Sequence, residues 1–362
     1  MSMHQQISPV LDALITRMPK VELHLHLEGS ISPATLLRIA ERNHVELPAR
    51  DAAGVAQLFQ YKNFQEFLTV FMVLARSLKR GEDFELLAYE LGHHLADQNV
   101  RYAEVMISAF QYYSRGVDLD EVVQGTATGF ARAQRERGTR VMLAFDYGRQ
   151  FGVETAWKVL EIAVRNQRHG LIAWSIGGDE VHYPPEQFAE VFAAARQAGL
   201  RLMAHAGEVV GPPSIWGAVD VLGCERVGHG IRSIDDPALL DHLRARGVVL
   251  DISPTSNVRT GAVSSIETHP LRRLFDAGIH VTLNTDDPTF FNTTLNDEYR
   301  LAAHVFGFDA AELTTLALNG VRATFLPEDE KQTLLHEITQ EIALLWSSLN
   351  QEPGARWANR EL

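Results

Sequence analysis

The sequence predicts an α/β protein folded as a (β/α)8 TIM barrel, and three observations carry the prediction. A short β-rich run, a polar or glycine turn and a helical pattern recur in that order along the chain. The β-rich runs number eight: Val21–His26, Val100–Ile107, Arg140–Phe145, Leu171–Ile176, Leu200–His205, Glu225–His229, Val248–Ile252 and His280–Asn284. The length, 362 residues, suits a barrel, which takes about 250 residues and tolerates insertions. Near-continuous apolar strands alternating with helices describe a parallel sheet covered by helices. The alternative is an open doubly wound sheet; the strand count favours closure.

The N-terminal residues lack a basic start followed by a long apolar run, so no signal peptide is expected, and no stretch is long enough to span a bilayer. After the first strand, Ser32-Pro33 reads as a helix N-cap followed by proline at the first helical position. The long stretch between the first two strands also holds Phe64, Phe67, Phe71, Leu74 and Leu78 at helical spacing, with Met72 and Val73 adding apolar surface. Core packing is the plain reading; a helical lid over a substrate is the other. Further helices are expected over Glu186–Gln197, Pro237–Arg246 and Pro270–Ala277, and C-terminal helices and a polar tail after Phe325. The whole chain, 1–362, reads as one domain, with a barrel core over about 19–325 and C-terminal helices over 326–362.

Lys and Arg total 33 against 46 Asp and Glu, a net charge of −13 with no basic block, which argues against a grip on nucleic-acid phosphates. A single cysteine, Cys224, excludes an internal disulfide and a cysteine-rich zinc site. A cytoplasmic protein is expected, with no membrane partner; the oligomeric state is not legible.

Catalytic groups of an α/β barrel project from the C-terminal ends of the strands. Here those ends carry metal-binding chemistry. The first strand ends in His24-Leu25-His26, the fifth in His205-Ala206-Gly207-Glu208, the sixth in His229 between two glycines, and the eighth runs into Asp286-Asp287. Side chains alternate along a strand, so His24 and His26 share a face and can chelate one ion. Each motif alone is weak, and a set of hydrogen-bonded polar residues at a barrel rim would look similar. Four such ends in one chain point to a metal centre. Three histidines and a carboxylate suit zinc with an open position for water; iron or manganese would accept the same donors. His269, His93-His94 and the other scattered histidines read as structural or exposed, and Tyr102, Phe110 and Phe151 are further candidates for a pocket wall.

The stretches Pro19–Gly29, His205–Glu208, Arg226–Gly230, Ser253–Asn257 and Asn284–Pro288 together resemble the adenosine deaminase family of the amidohydrolase superfamily, from about Pro19 to Phe325. The resemblance implies one zinc ion per chain on His24, His26, His205 and Asp286. It implies Glu208 as proton donor to purine N1, and His229 as the group that orients and polarises the water. Asp286 would share in accepting the water's proton, Asp287 would bond purine N7, and the Gly178 backbone would meet N3. The end of the fourth strand, Gly177-Gly178-Asp179-Glu180, offers no lysine, so the site looks mononuclear. Glu28 stands where nucleoside-specific members often carry Asp beside the ribose, and adenine deaminases resemble the chain there. Adenine deaminases usually have Asp at the position of Gly228, however, and the stretch Thr289–Tyr299 is closer to the nucleoside branch. The resemblance therefore implies hydrolytic deamination of a 6-aminopurine. Adenosine or deoxyadenosine ranks first, a 5′-modified adenosine such as aminodeoxyfutalosine second and free adenine third. From other classes, a metal-dependent phosphoesterase would need cations such as Arg149 and Arg232 for phosphate, and a non-catalytic purine-binding protein would not need Glu208.

Overall fold

The computed structural model describes residues 7–59, 70 and 73–350. Its sheet has eight parallel strands in chain order. They are β1 (Lys20–His26), β2 (Val100–Ile107), β3 (Arg140–Gly148), β4 (Leu171–Gly177), β5 (Arg201–Ala206), β6 (Arg226–His229), β7 (Val249–Ile252) and β8 (His280–Leu283). Beyond β8 the chain returns to β1. Leu25 bridges Asp286, whose N–H donates to the His24 carbonyl at 3.0 Å, while the His26 N–H donates to the Asp286 carbonyl at 2.8 Å. The sheet is thereby drawn into a nearly closed barrel, as the strand count predicts, and not an open layer. Strand ends move by one to a few residues from the sequence expectation. The consequential shift is at β3, which runs past Phe145 to Gly148 and carries Asp146 to the top face.

Local rules account for most helix starts. Ser32 Oγ accepts the Thr35 N–H at 3.1 Å and Pro33 opens the helix Pro33–Arg42. The helix Pro237–Arg246 has the expected bounds, with Asp236 as its cap. The expected Glu186–Gln197 helix is a 3-10 turn, Pro185–Phe188, running into an α-helix, Ala189–Gln197. The expected Pro270–Ala277 helix spans Leu271–Asp276. After Phe325 the described residues form one long helix, Glu328–Leu349, where several were expected. Phe64, Phe67, Phe71 and Met72 lie outside the described residues; Leu74 and Leu78, from the same stripe, are buried in the main core. No helix among the described residues is long and apolar enough to cross a membrane.

The main core fills the layer between strands and helices. A second, small cluster of Met106, Ala144, Ala173 and Met203, one from each of β2 to β5, packs with Phe325 inside the barrel. Beside it, buried Arg226 of β6 reaches across the interior to Glu104 of β2 at 2.6 Å and to Asp251 of β7 at 3.0 Å. Phe325 covers the guanidinium at 4.0 Å and donates its N–H to Glu104 at 2.6 Å. Tyr102, a candidate for the pocket wall from sequence, belongs here instead: its hydroxyl donates to Glu104 at 2.9 Å. Removing the cation would strand two buried carboxylates. Arg226→Met is expected to cost about 3–5 kcal/mol, read as a lower urea midpoint with an unchanged slope.

Candidate metal centre and active site

β1 delivers His24 and His26 on one face, and β5 delivers His205. The two backbone bonds that join the end of β8 to β1 set Asp286 beside them. Asp286 adopts φ +65°, a left-handed conformation uncommon for a residue with a Cβ. Such strain persists where the surroundings over-determine it, and here the bonds to His24 and His26 do so. Ser256 Oγ donates to Asp286 Oδ2 at 2.6 Å, which leaves Oδ1 turned to the histidines. Oδ1 lies 3.4 Å from His24 Nε2 and 3.3 Å from His26 Nε2, and His26 Nε2 lies 3.4 Å from His205 Nε2.

These separations fit a shared ion. Bonds of about 2.0–2.1 Å in a tetrahedron place donor atoms about 3.3–3.4 Å apart. One donor atom from each of His24, His26, His205 and Asp286 falls within 4.8 Å of every other. Neither ring nitrogen of the buried His24 has a hydrogen-bond partner, which is costly for a polar group sealed from water unless something else binds it. Burial pushes the His24 ring down to about 3, so it stands neutral, as a ligand must. Burial works against charge on His205 too, but Asp146, Asp286 and Glu208 outweigh it and push the ring up to about 9. Asp287 is raised well above the usual carboxylate range by burial first, then by Asp286, Glu28, Glu208 and Asp146. So many acidic groups around three imidazoles leave the pocket short of positive charge, a deficit that a divalent cation removes.

The supports of this set were only partly visible in sequence. Asp146, at the extended top of β3, faces His205 Nδ1 at 3.4 Å and is held by Ser175 Oγ at 2.7 Å. Together with the Ile176 carbonyl, 3.2 Å from the same nitrogen, it turns Nε2 of His205 inward. A strand-end search extended one residue past Phe145 would have found it. Gly228 is needed for packing, since a Cβ there would lie 2.6 Å from His24 Cε1.

Of the other residues named from sequence, Glu208 and His229 are brought together beside the metal set. His229 Nε2 lies 3.5 Å from Glu208 Oε2 and 3.9 Å from Asp286 Oδ2, and Thr260 Oγ1 donates to Glu208 at 3.3 Å. Asp287 lies against Gly29, where a Cβ would meet its Oδ1 at 1.9 Å. Glu28 is fully buried in the wall: Oε1 accepts the Ser108 N–H at 3.0 Å, and burial pushes the carboxyl up to about 7. Gly178 lines a cavity of about 120 Å³ with Ser108, Gln111 and Gln150, at whose inner side stands Asp146. Phe110 and Phe151, stacked at 3.4 Å, form its other wall.

Two further residues, Glu180 and Arg149, shape the rim. Glu180 accepts the N–H groups of Gly207, Val209 and Val210 at 2.5, 2.8 and 3.0 Å, and so clamps the turn that carries Glu208. Arg149 is buried and donates to the carbonyls of His205 at 2.5 Å and Tyr183 at 3.1 Å. Arg232 donates to the Ala262 carbonyl at 3.2 Å. The two cations a phosphoesterase would use thus bind backbone. Of the two readings open for His269, structural or exposed, the structural one holds: it is buried and bonded to Asn257, which touches His229.

The fold and site define an α/β-barrel hydrolase with a candidate centre for one cation. A model of the adenosine deaminase family matches residues 19–341. The chain belongs to the adenosine deaminase family, whose members are hydrolytic deaminases acting on amidine-type C–N bonds. It is 37% identical over 330 residues to the aminodeoxyfutalosine deaminase of Streptomyces avermitilis, covering 91% of this chain and 92% of that one. It is 34% identical over 327 residues to the adenine deaminase of Acinetobacter baylyi, covering 90% and 98%. Among solved structures, an adenine deaminase from Arthrobacter aurescens superposes with a TM-score of 0.85 at 33% identity, over 90% of this chain and 99% of that one. An amidohydrolase from Burkholderia ambifaria with bound zinc superposes with a TM-score of 0.88 at 27% identity, over 96% and 97%.

Proposed function

We propose that the chain uses one zinc ion to convert a 6-aminopurine nucleoside and water into the 6-oxopurine nucleoside and ammonia. The nitrogen-rich donor set and the zinc of the Burkholderia structure support the choice of metal. The observation that carries the nucleoside over the free base is the cavity beside Gly178. Ser108, Gln111 and Gln150 give it hydrogen-bonding walls suited to sugar hydroxyls, which a bare purine would leave unused. Adenosine or deoxyadenosine is the simplest such substrate. A second reading, aminodeoxyfutalosine, is favoured by the 37% identity to the Streptomyces enzyme, and the Phe110–Phe151 stack would pack against an apolar 5′ group. Free adenine, supported by the Acinetobacter relative, ranks third.

His24, His26, His205 and Asp286 hold the ion, which when bound acidifies water to a pKa near ~7. Addition of water at C6 drives charge into the ring, and Glu208 supplies the proton that N1 must gain. His229 faces the same point and stabilises the oxygen that develops charge. Asp286 accepts the proton that water loses, through the carboxylate that Ser256 steadies. Asp287, raised well above the usual carboxylate range chiefly by burial, bonds purine N7, while the Gly178 backbone meets N3.

Ammonia release by zinc-loaded protein tests the reading against adenosine, deoxyadenosine, adenine and aminodeoxyfutalosine. The expected result is kcat/KM near ~10⁵ M⁻¹s⁻¹ on adenosine or deoxyadenosine. A higher value on aminodeoxyfutalosine selects the second reading, and no turnover of any of the four overturns both. Glu180→Gln keeps one acceptor for three backbone N–H groups. It is expected to lower kcat by roughly 10–100-fold at unchanged zinc content, because the turn carrying Glu208 loosens while the ligands stay.

A further inference from the structure

A line of buried hydrogen bonds leads from the outer side of the barrel to His229, and the reaction as proposed does not use it. The Leu271 N–H donates to His269 Nδ1 at 3.1 Å. His269 Nε2 lies 3.0 Å from Asn257 Oδ1, and Asn257 Nδ2 lies 3.0 Å from His229 Nδ1. All three side chains are sealed from solvent.

The direction of every proton in this line follows from its outer end. A backbone N–H only donates, so His269 Nδ1 presents a lone pair. An imidazole with a bare Nδ1 carries its proton on Nε2, and that N–H needs an acceptor. Asn257 Oδ1 is the acceptor; the reversed carboxamide would set an NH2 group against an N–H. The orientation of Asn257 is thus fixed, and its Nδ2 donates to His229 Nδ1. His229 Nδ1 is therefore bare as well, and its proton sits on Nε2. The inner end agrees, since His229 Nε2 faces carboxyl oxygens, Glu208 Oε2 at 3.5 Å and Asp286 Oδ2 at 3.9 Å. Burial also pushes His269 down to about 3, consistent with a neutral ring at the head of the line.

We infer that His269 and Asn257 are positioning residues that lock His229 in the Nε2–H tautomer, so that His229 donates a hydrogen bond to the reacting centre and does not act as its base. The inference rests on the deaminase reading for its consequence, though not for the tautomer itself. It leaves Asp286 as the group that takes the proton from water. It also gives the buried His269 a role that its distance along the chain from His229 conceals.

The test uses zinc-loaded protein labelled with 15N in histidine, with His229 and His269 assigned by substitution. Two-bond 1H–15N correlation spectra are expected to show a bare Nδ1 and a protonated Nε2 on His229. Asn257→Asp is nearly isosteric and still accepts from His269, but its carboxylate draws the proton to His229 Nδ1. That variant is expected to show a protonated Nδ1 and a kcat lower by ~10²–10⁴-fold, in the range a wrong histidine tautomer costs elsewhere, with KM and zinc content close to those of the parent. A protonated Nδ1 in the parent protein overturns the inference. So does an Asn257→Asp variant that keeps a bare Nδ1 or full kcat. If the parent turns over no aminopurine, the deaminase reading fails while the spectra still decide the tautomer.

Discussion

Glu208→Gln is expected to lower kcat by ~10²–10⁴-fold while zinc content and KM stay close to those of the parent. Glu208 is not one of the four donors around the ion site, and its Oε2 lies 3.5 Å from His229 Nε2. Its other oxygen accepts from Thr260 Oγ1 at 3.3 Å, and Glu180 fixes the turn beneath it through three backbone bonds. A glutamine in that place keeps the shape and can still donate a hydrogen bond to purine N1, so the ground state is held about as well. It cannot give up a proton as water adds to C6, so the loss falls on the chemical step. Ammonia release under saturating substrate, with elemental analysis of the same sample, separates the two. A variant within about threefold of the parent kcat, a difference of ~0.7 kcal/mol, would remove Glu208 from the role of proton donor. A variant that loses zinc in proportion to activity would make it a structural support of the centre instead.

How much of this was legible in the sequence depends on the reach of each contact. His24 and His26 share a strand, and alternation alone puts both rings on one face. His205, His229 and Asp286 are each local too, in that each falls at a strand end and barrels place strand ends together. The geometry that makes Asp286 useful is not local. Its left-handed backbone and its Oδ1 direction come from bonds to β1 and to Ser256, 30 residues away. The same holds for the supports that sequence reasoning passed over. Glu180 meets Gly207 across 27 positions, and Asn257 meets His229 across 28. No periodicity within a helix or strand reports such pairs. Glu28 shows the opposite failure: its motif is plain in sequence, but whether it faces substrate or wall is decided by the packing of Ser108 and Tyr112 against it.

Asp286 can be asked to reveal its two roles separately. Asp286→Ala removes the only carboxylate of the donor set and is expected to lower bound zinc well below one per chain, with turnover falling in parallel. Asp286→Asn keeps an oxygen near the same point, and the side chain can still bond Ser256. It is expected to retain more zinc than the alanine variant, because a neutral carbonyl oxygen remains a donor, although a weaker one. An amide cannot accept the proton that water must lose, so its zinc-loaded fraction is expected to turn over ~10²–10⁴-fold more slowly than the parent. Left-handed backbone is tolerated by asparagine better than by alanine, so the alanine variant also bears more strain at φ +65°. Thermal unfolding of both variants at saturating zinc shows whether that strain, and not ligand loss, lowers its occupancy. Full zinc in folded Asp286→Ala would leave three histidines as the whole donor set and strike Asp286 from it. Parent-like kcat in zinc-loaded Asp286→Asn would move the proton acceptor elsewhere.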